Sequence, residues 1–282
     1  MCVSTHPPPP PHPQQFVTSG YFGGLAGDPD SGSTRVVTEN NGGAHFWVGK
    51  QAGGPGSPFE PNWENVGATG HYDFGSLTMA RTLGSDANQV ATEGRKNLVG
   101  WIGGGQAASQ SLGRELSLSS DYELLQQFVP ELKCLRKDLG TTGLQTELTA
   151  NFQLSKNENE MEQGLFGVDV ACSEDGRCAR IFANCTNWVG EQPTCEVGVD
   201  ATQLDVQGKS ISGPLTFLGE TVDGKKLELN MHAIVDGEVI EVIFNNRTAM
   251  VHYAQVIDEK SVSVELFGNV GGKLESWELE TI

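Results

Sequence analysis

From Leu227 to Val235 the residues alternate strictly: Leu227, Leu229, Met231, Ala233 and Val235 fall on one face, and Glu228, Asn230 and His232 on the other. A period of two is the signature of a strand with one buried and one wet face, and no helix can satisfy it. Asp236-Gly237 then predicts a turn into a strand over Val239–Phe244, and Asn245-Asn246 a second turn into Thr248–Tyr253. Repeated across residues 140–282, this antiparallel meander predicts a β-sandwich. His232 on the polar face reads as a solvated strand residue rather than a ligand.

The preceding residues carry a related pattern. Between residues 16 and 118 short apolar runs at Ala44–Lys50, Gly75–Thr82, Asn97–Ile102 and Arg114–Leu118 are separated by glycine-rich turns, and no 3.6-residue period appears. Residues 119–139 differ. Leu124, Leu125, Phe128 and Val129 lead into Pro130, and Glu131 to Arg136 suit a short helix with proline at its first position. This segment reads as a linker packed on a neighbouring domain. Residues 1–15, with His6, the prolines Pro7 to Pro11, His12 and Pro13, read as an extended tail. Its two histidines have no rigid frame, so no metal and no cofactor is expected.

The formal net charge of −18 opposes phosphate backbones and anionic lipid surfaces, which excludes nucleic acid and membrane as expected partners. A neutral ligand such as a sugar is compatible. No run reaches the roughly 18 apolar residues of a membrane span, and the N-terminus shows no apolar signal-peptide core. Four of the six cysteines lie between Cys172 and Cys195, without zinc-site spacing. A two-residue turn at Asp175-Gly176 would set Cys172 opposite Ala179, which disfavours a Cys172–Cys178 bond. A turn near Gly190 places Cys185 and Cys195 equidistant from its centre, so these two are the expected pair. Asn184-Cys185-Thr186 and Asn246-Arg247-Thr248 are glycosylation sequons. Cysteines and sequons together lean towards an extracellular or secretory location.

Several segments occur in the order and spacing of one family. Tyr72-Asp73-Phe74-Gly75, followed by the strand Ser76 to Thr82, is similar to that family's Tyr-Asp-x-Gly strand. Arg95 to Gly103, Gln110 to Leu116, Leu125 to Arg136 and Asp236 to Asn245 match later segments in turn, and His45 to Lys50 with Phe59 and Pro61 an earlier one. The chain thus resembles glycoside hydrolase family 32, the invertases, inulinases, levanases and fructosyltransferases. The resemblance implies an all-β fold: the last one to two blades of a five-bladed β-propeller (16–118), the linker (119–139) and a C-terminal β-sandwich (140–282). It implies sucrose or a fructan as the carbohydrate partner. It also places Tyr72 and Asp73 near the propeller's central cavity and Trp101 beside the substrate cleft.

Retaining hydrolysis of a fructosidic bond needs two carboxyl groups about 5 Å apart, a nucleophile and an acid/base. In the family these lie in Trp-Met-Asn-Asp-Pro and Glu-Cys-Pro segments, and a third carboxylate in Arg-Asp-Pro holds the fructosyl hydroxyls. None of the three segments occurs in this sequence. Gly27-Asp28-Pro29 lacks the arginine, and Glu60-Pro61 follows the strand at which the family has already passed its acid/base. A blade takes roughly 40–45 residues, so residues 1–40 cannot hold three more. The expectation is a C-terminal portion, inactive by itself, whose N-terminal half is missing. The alternative is a non-catalytic fructan-binding or structural β-sandwich protein.

Overall fold

The computed structural model describes residues 18–23, 26–27, 34–39, 45–51, 58–65, 68–83, 95–103, 109–137, 145–154, 164–173, 175–189, 192–204, 209–215, 217, 227–253 and 263–280. The tail expectation for residues 1–15 lies outside these. The described chain is built almost wholly of strands in four antiparallel five-stranded sheets. This is a β-propeller portion followed by a β-sandwich.

The first sheet comprises β1 (Thr18–Gly23), β2 (Thr34–Glu39), β3 (His45–Gln51), β4 (Phe59–Pro61) and β5 (Thr69–His71), ordered β1-β2-β3-β4 with β5 also pairing β3. The second comprises β6 (Leu77–Leu83), β7 (Lys96–Ile102), β8 (Ser109–Gln110), β9 (Arg114–Leu118) and β10 (Leu124–Phe128), ordered β10-β9-β7-β6. Strand β1 lies against β6, and Leu118 N donates to Ala26 O at 2.8 Å. Phe46, Tyr72, Leu77, Leu98 and Leu116 fill the core between the two blades. The segment read from sequence as a linker holds strand β10 and then a 3₁₀ turn at Pro130–Leu135, with proline at its start.

The sandwich pairs two further sheets. One runs β18 (Thr248–Tyr253), β17 (Val239–Phe244), β16 (Leu227–Asp236), β11 (Gln145–Leu154), β20 (Gly272–Glu278). The other runs β15 (Ser210–Leu215), β14 (Gln192–Asp200), β13 (Ala179–Val189), β12 (Gly164–Cys172), β19 (Ser263–Phe267). The alternating residues of β16 act as their pattern demands: Leu227, Leu229, Met231, Ala233 and Val235 join the core between the sheets. Phe152 meets Phe166 across it, ring centroids 5.0 Å apart.

Strand β17 carries buried apolar side chains on both faces for a reason visible only in three dimensions. Ile240, Val242 and Phe244 enter the sandwich core, while Ile243 packs with Phe128, Ile234, Ala249 and Leu279 where β10 and the 3₁₀ turn meet the sandwich. At that joint the outer face of the first sandwich sheet lies against the second blade.

Two turns follow residue chemistry. Asp236 pairs with Val239, so Gly237-Glu238 closes the β16–β17 hairpin, one residue later than Asp236-Gly237. Gly237 has φ +56°, a left-handed conformation that glycine adopts without steric cost. The β17–β18 turn places Asn245 and Asn246 at φ 47° and 56°, the region asparagine tolerates best among side-chain-bearing residues.

The cysteine pairing is half as expected. Cys185 and Cys195 are cross-strand partners and form a disulfide. Cys172–Cys178 is also a disulfide, which corrects the expectation that these two point apart. The ladder ends at Val170 opposite Ala179. Ala171, at φ 52°, then inserts one extra residue on its strand, and the shift sets Cys172 against Cys178. Such a bulge turns every following side chain to the other face. Cys134 is free and exposed.

Candidate functional site

The most heavily built polar cluster sits where the second blade meets the sandwich. Tyr72 and Asp73 lie just before β6, Arg114 opens β9, Gln126 is central in β10 and Glu241 is central in β17. Among the described residues Arg114 is one of the largest fully buried side chains. Its Nη2 donates to Asp73 Oδ2 at 2.8 Å and to Glu241 Oε2 at 3.3 Å, and its Nη1 donates to the Tyr72 carbonyl at 3.2 Å. Asp73 Oδ1 accepts from Gly75 N at 2.7 Å and from Val251 N, on β18, at 3.0 Å. Leu112 N donates to Glu241 Oε1 at 2.7 Å. Gln126 Nε2 also donates to the Tyr72 carbonyl, at 3.0 Å.

One guanidinium therefore serves carboxylates from both sides of the joint, and backbone amides donate to the other oxygen of each. Burial pushes the Glu241 carboxyl above its ordinary value, against the pull of Arg114. Burial alone would lower Arg114, but the Asp73 and Glu241 charges outweigh it and the guanidinium is held more firmly protonated.

A second ion cluster borders the joint. Arg136 donates to Glu147 through Nε at 2.6 Å and Nη2 at 2.7 Å, and His232 Nε2 lies 2.8 Å from Glu147 Oε1. The Arg136 guanidinium also stacks 3.6 Å above the Trp277 ring. Burial would raise Glu147, but the hydrogen bonds from Arg136 and His232 prevail and lower its pKa to about 2. His232 is thus a carboxylate partner rather than a freely solvated residue.

The three residues singled out for sugar contact separate. Tyr72 and Asp73 are 0% and 1% exposed, so neither presents a surface to a ligand. Tyr72 packs on Phe46, ring centroids 5.2 Å apart, and Asp73 is committed to Arg114. Trp101, on β7, is 49% exposed, and its backbone carbonyl accepts from the Thr78 hydroxyl. It alone of the three offers a ring to solvent. Glu60 is exposed on β4. Asp73 and Glu241 approach one arginine, but both are closed off from solvent, so they do not form a carboxylate pair open to a glycosidic bond.

Sequence reasoning missed Arg114, Gln126 and Glu241 as one constellation. A usable signal was present: Glu241 interrupts the apolar run Val239–Phe244, and a lone acid there calls for a buried cation. A hollow of about 290 Å³ also opens on the outer face of the first sandwich sheet. Thr149, Asn151, Asn230, His232, Asn246 and Lys273 line part of it. Among the described residues no cluster of three or more His, Cys, Asp and Glu gathers as a metal site.

No family model and no curated protein sequence matches this chain. Solved structures do. Fructan 1-exohydrolase IIa from Cichorium intybus is similar at TM-score 0.73 and 16% identity, over 92% of this chain and 60% of that one. A fructosyltransferase from A. japonicus is similar at 0.67 and 17%, over 92% and 55%. Sucrose-6-phosphate hydrolase from Lactobacillus gasseri is similar at 0.64 and 14%, over 88% and 52%. At such identities the likeness is one of fold: propeller blades joined to a sandwich, as in glycoside hydrolase family 32. The chain spans 52–60% of the length of these three solved chains.

Proposed function

We propose that this chain is the C-terminal portion of a glycoside hydrolase family 32-like protein acting on sucrose or fructans, and that it does not cleave them alone. The observation that carries this reading is the joint. Two blades are fixed to the sandwich by the buried Asp73–Arg114–Glu241 network, in a fold shared with proteins named for fructan and sucrose chemistry. The three segments that would supply family carboxylates do not occur in the sequence. Within this reading Trp101 lends its exposed ring to a furanose face, and Tyr72 and Asp73 hold the blade in place. An indole face is suited to apolar C–H surfaces of a sugar ring.

Titration with short inulin-type oligosaccharides tests the contact role. Weak binding that falls at least several-fold in Trp101→Ala supports it, and binding unchanged by that substitution removes Trp101 from the site.

A second reading, a non-catalytic fructan-binding protein, is favoured by one observation: the hollow on the sandwich face is lined by Asn151, Asn230, Asn246 and Thr149 together with Ala150, Met231 and Ile243, a mixture suited to the hydroxyls and the C–H faces of a sugar. Retention of the chain on immobilised inulin, lost in Asn151→Ala combined with Asn230→Ala but not in Trp101→Ala, would favour it over the first.

A further inference from the structure

The spacing Phe-x-Asn-x-Thr occurs twice, at Phe182-Ala183-Asn184-Cys185-Thr186 and at Phe244-Asn245-Asn246-Arg247-Thr248. Both contain a glycosylation sequon, but the fold places the phenylalanine of each differently. On β13 a period of two puts Ile181, Ala183 and Cys185 in the core, and Phe182, Asn184 and Thr186 on the outward face, each partly exposed. Phe182 pairs with Gly198 on β14, and its ring covers that glycine so closely that a Cβ there would lie 2.5 Å from it. Asn184 pairs with Leu165 on β12, which is 45% exposed. Among the described residues the Asn184 side chain has no hydrogen-bond partner. Its amide is thus free, with an aromatic ring two residues away and an aliphatic side chain alongside.

The second copy lies on the β17–β18 turn, where Asn246 is itself exposed but its phenylalanine and threonine are not. Phe244 is buried in the sandwich core, the Thr248 hydroxyl donates to Pro214 O at 2.8 Å, and the Asn246 carbonyl accepts from Gln126 N at 2.7 Å. A sugar on Asn246 could not rest on the buried Phe244 as one on Asn184 could on Phe182.

We infer that Asn184 carries an N-linked oligosaccharide whose first sugar packs over Phe182 and Leu165. The co-reactant is an oligosaccharyl diphospholipid. Asn184 Nδ2 forms a bond to the anomeric carbon, the bond from that carbon to the diphosphate oxygen breaks, the diphospholipid departs and an amide proton passes to a base. Asn184 lies mid-strand beside the Cys185–Cys195 bond, so transfer precedes closure of this sheet. Oxidative folding and glycan transfer share one compartment, and both disulfides belong to this sheet or its turn. The glycan covers the ring and the leucine, which otherwise remain apolar surface in water.

The test is expression of the chain directed to a eukaryotic secretory compartment, with glycopeptide mass spectrometry on all chain recovered, folded or not. Occupied Asn184 is the expected result, and unoccupied Asn184 overturns the proposal. Thermal melts of folded protein then compare glycosylated and unglycosylated forms, the latter as Thr186→Ala and Asn184→Gln. Loss of the glycan should lower Tm by about 2–4 °C with Phe182 present and leave it unchanged in Phe182→Ala. A decrease that persists in Phe182→Ala, or no decrease in either background, overturns the packing. Removing a glycan from Asn246 should not move Tm, and an equal shift there counts against Phe182 as the reason.

Discussion

Arg114 neutralises carboxylates that reach it from two bodies, Asp73 from the blade side and Glu241 from the sandwich, at 2.8 and 3.3 Å. Desolvating three charges is costly, and such a cluster holds only while every member is present. Arg114→Met strands two buried acids, and urea unfolding should show a loss of about 3–5 kcal/mol. Glu147 supplies the acid response. Its carboxyl titrates near 2 when folded, against 4.5 ordinarily. A depressed acid contributes its full stability above the unfolded value and loses it as pH falls towards the folded one. Melting temperature should therefore decline between pH 4.5 and 2, and decline less steeply in Glu147→Gln. The Glu241 carboxyl, shifted upward by burial, acts in the opposite sense: its contribution is largest when protonated and wanes as pH rises from 4.5. A melt series run on both sides of pH 4.5 separates the two.

At the scale of elements, strands were far more legible than partners. Alternation exposed β16, the Gly and Asn turns exposed the β16–β17–β18 meander, and the symmetry of a turn exposed Cys185–Cys195. Cys172–Cys178 was hidden by a single left-handed alanine, Ala171, whose bulge no local pattern announces. The short strands β4, β5 and β8 escaped notice because two or three residues cannot display a period. Strand β10 was read as linker because Leu124-Leu125 and Phe128-Val129 suit a helix as well as a strand. The joint stayed invisible for a different reason: Arg114 lies 41 residues from Asp73 and 127 from Glu241, and nothing local links them. Peptide mapping without reduction should recover Cys172–Cys178 and Cys185–Cys195 as separate linked pairs, with Cys134 alkylated. Removing Cys185–Cys195 by paired alanine substitution should cost about 2–4 kcal/mol.

For the whole molecule, the position of the joint decides how blades and sandwich behave. Tyr72, Leu77 and Val251 share one apolar cluster, so a sandwich strand contributes to the blade core. Blades and sandwich should accordingly unfold in one calorimetric transition, and Arg114→Met should split it into two, the sandwich melting last because its core is the larger. The chain shares its fold with proteins named for fructan and sucrose chemistry, the carboxylate segments of glycoside hydrolase family 32 do not occur in its sequence, and the proposal is that it cleaves no fructosidic bond alone. The measurement that bears on it most directly is fructose release from sucrose and inulin by purified, cooperatively folded chain at micromolar concentration over hours. The expected result is release equal to the protein-free blank. Release above blank that scales with the concentration of this chain, and survives repurification, would contradict it.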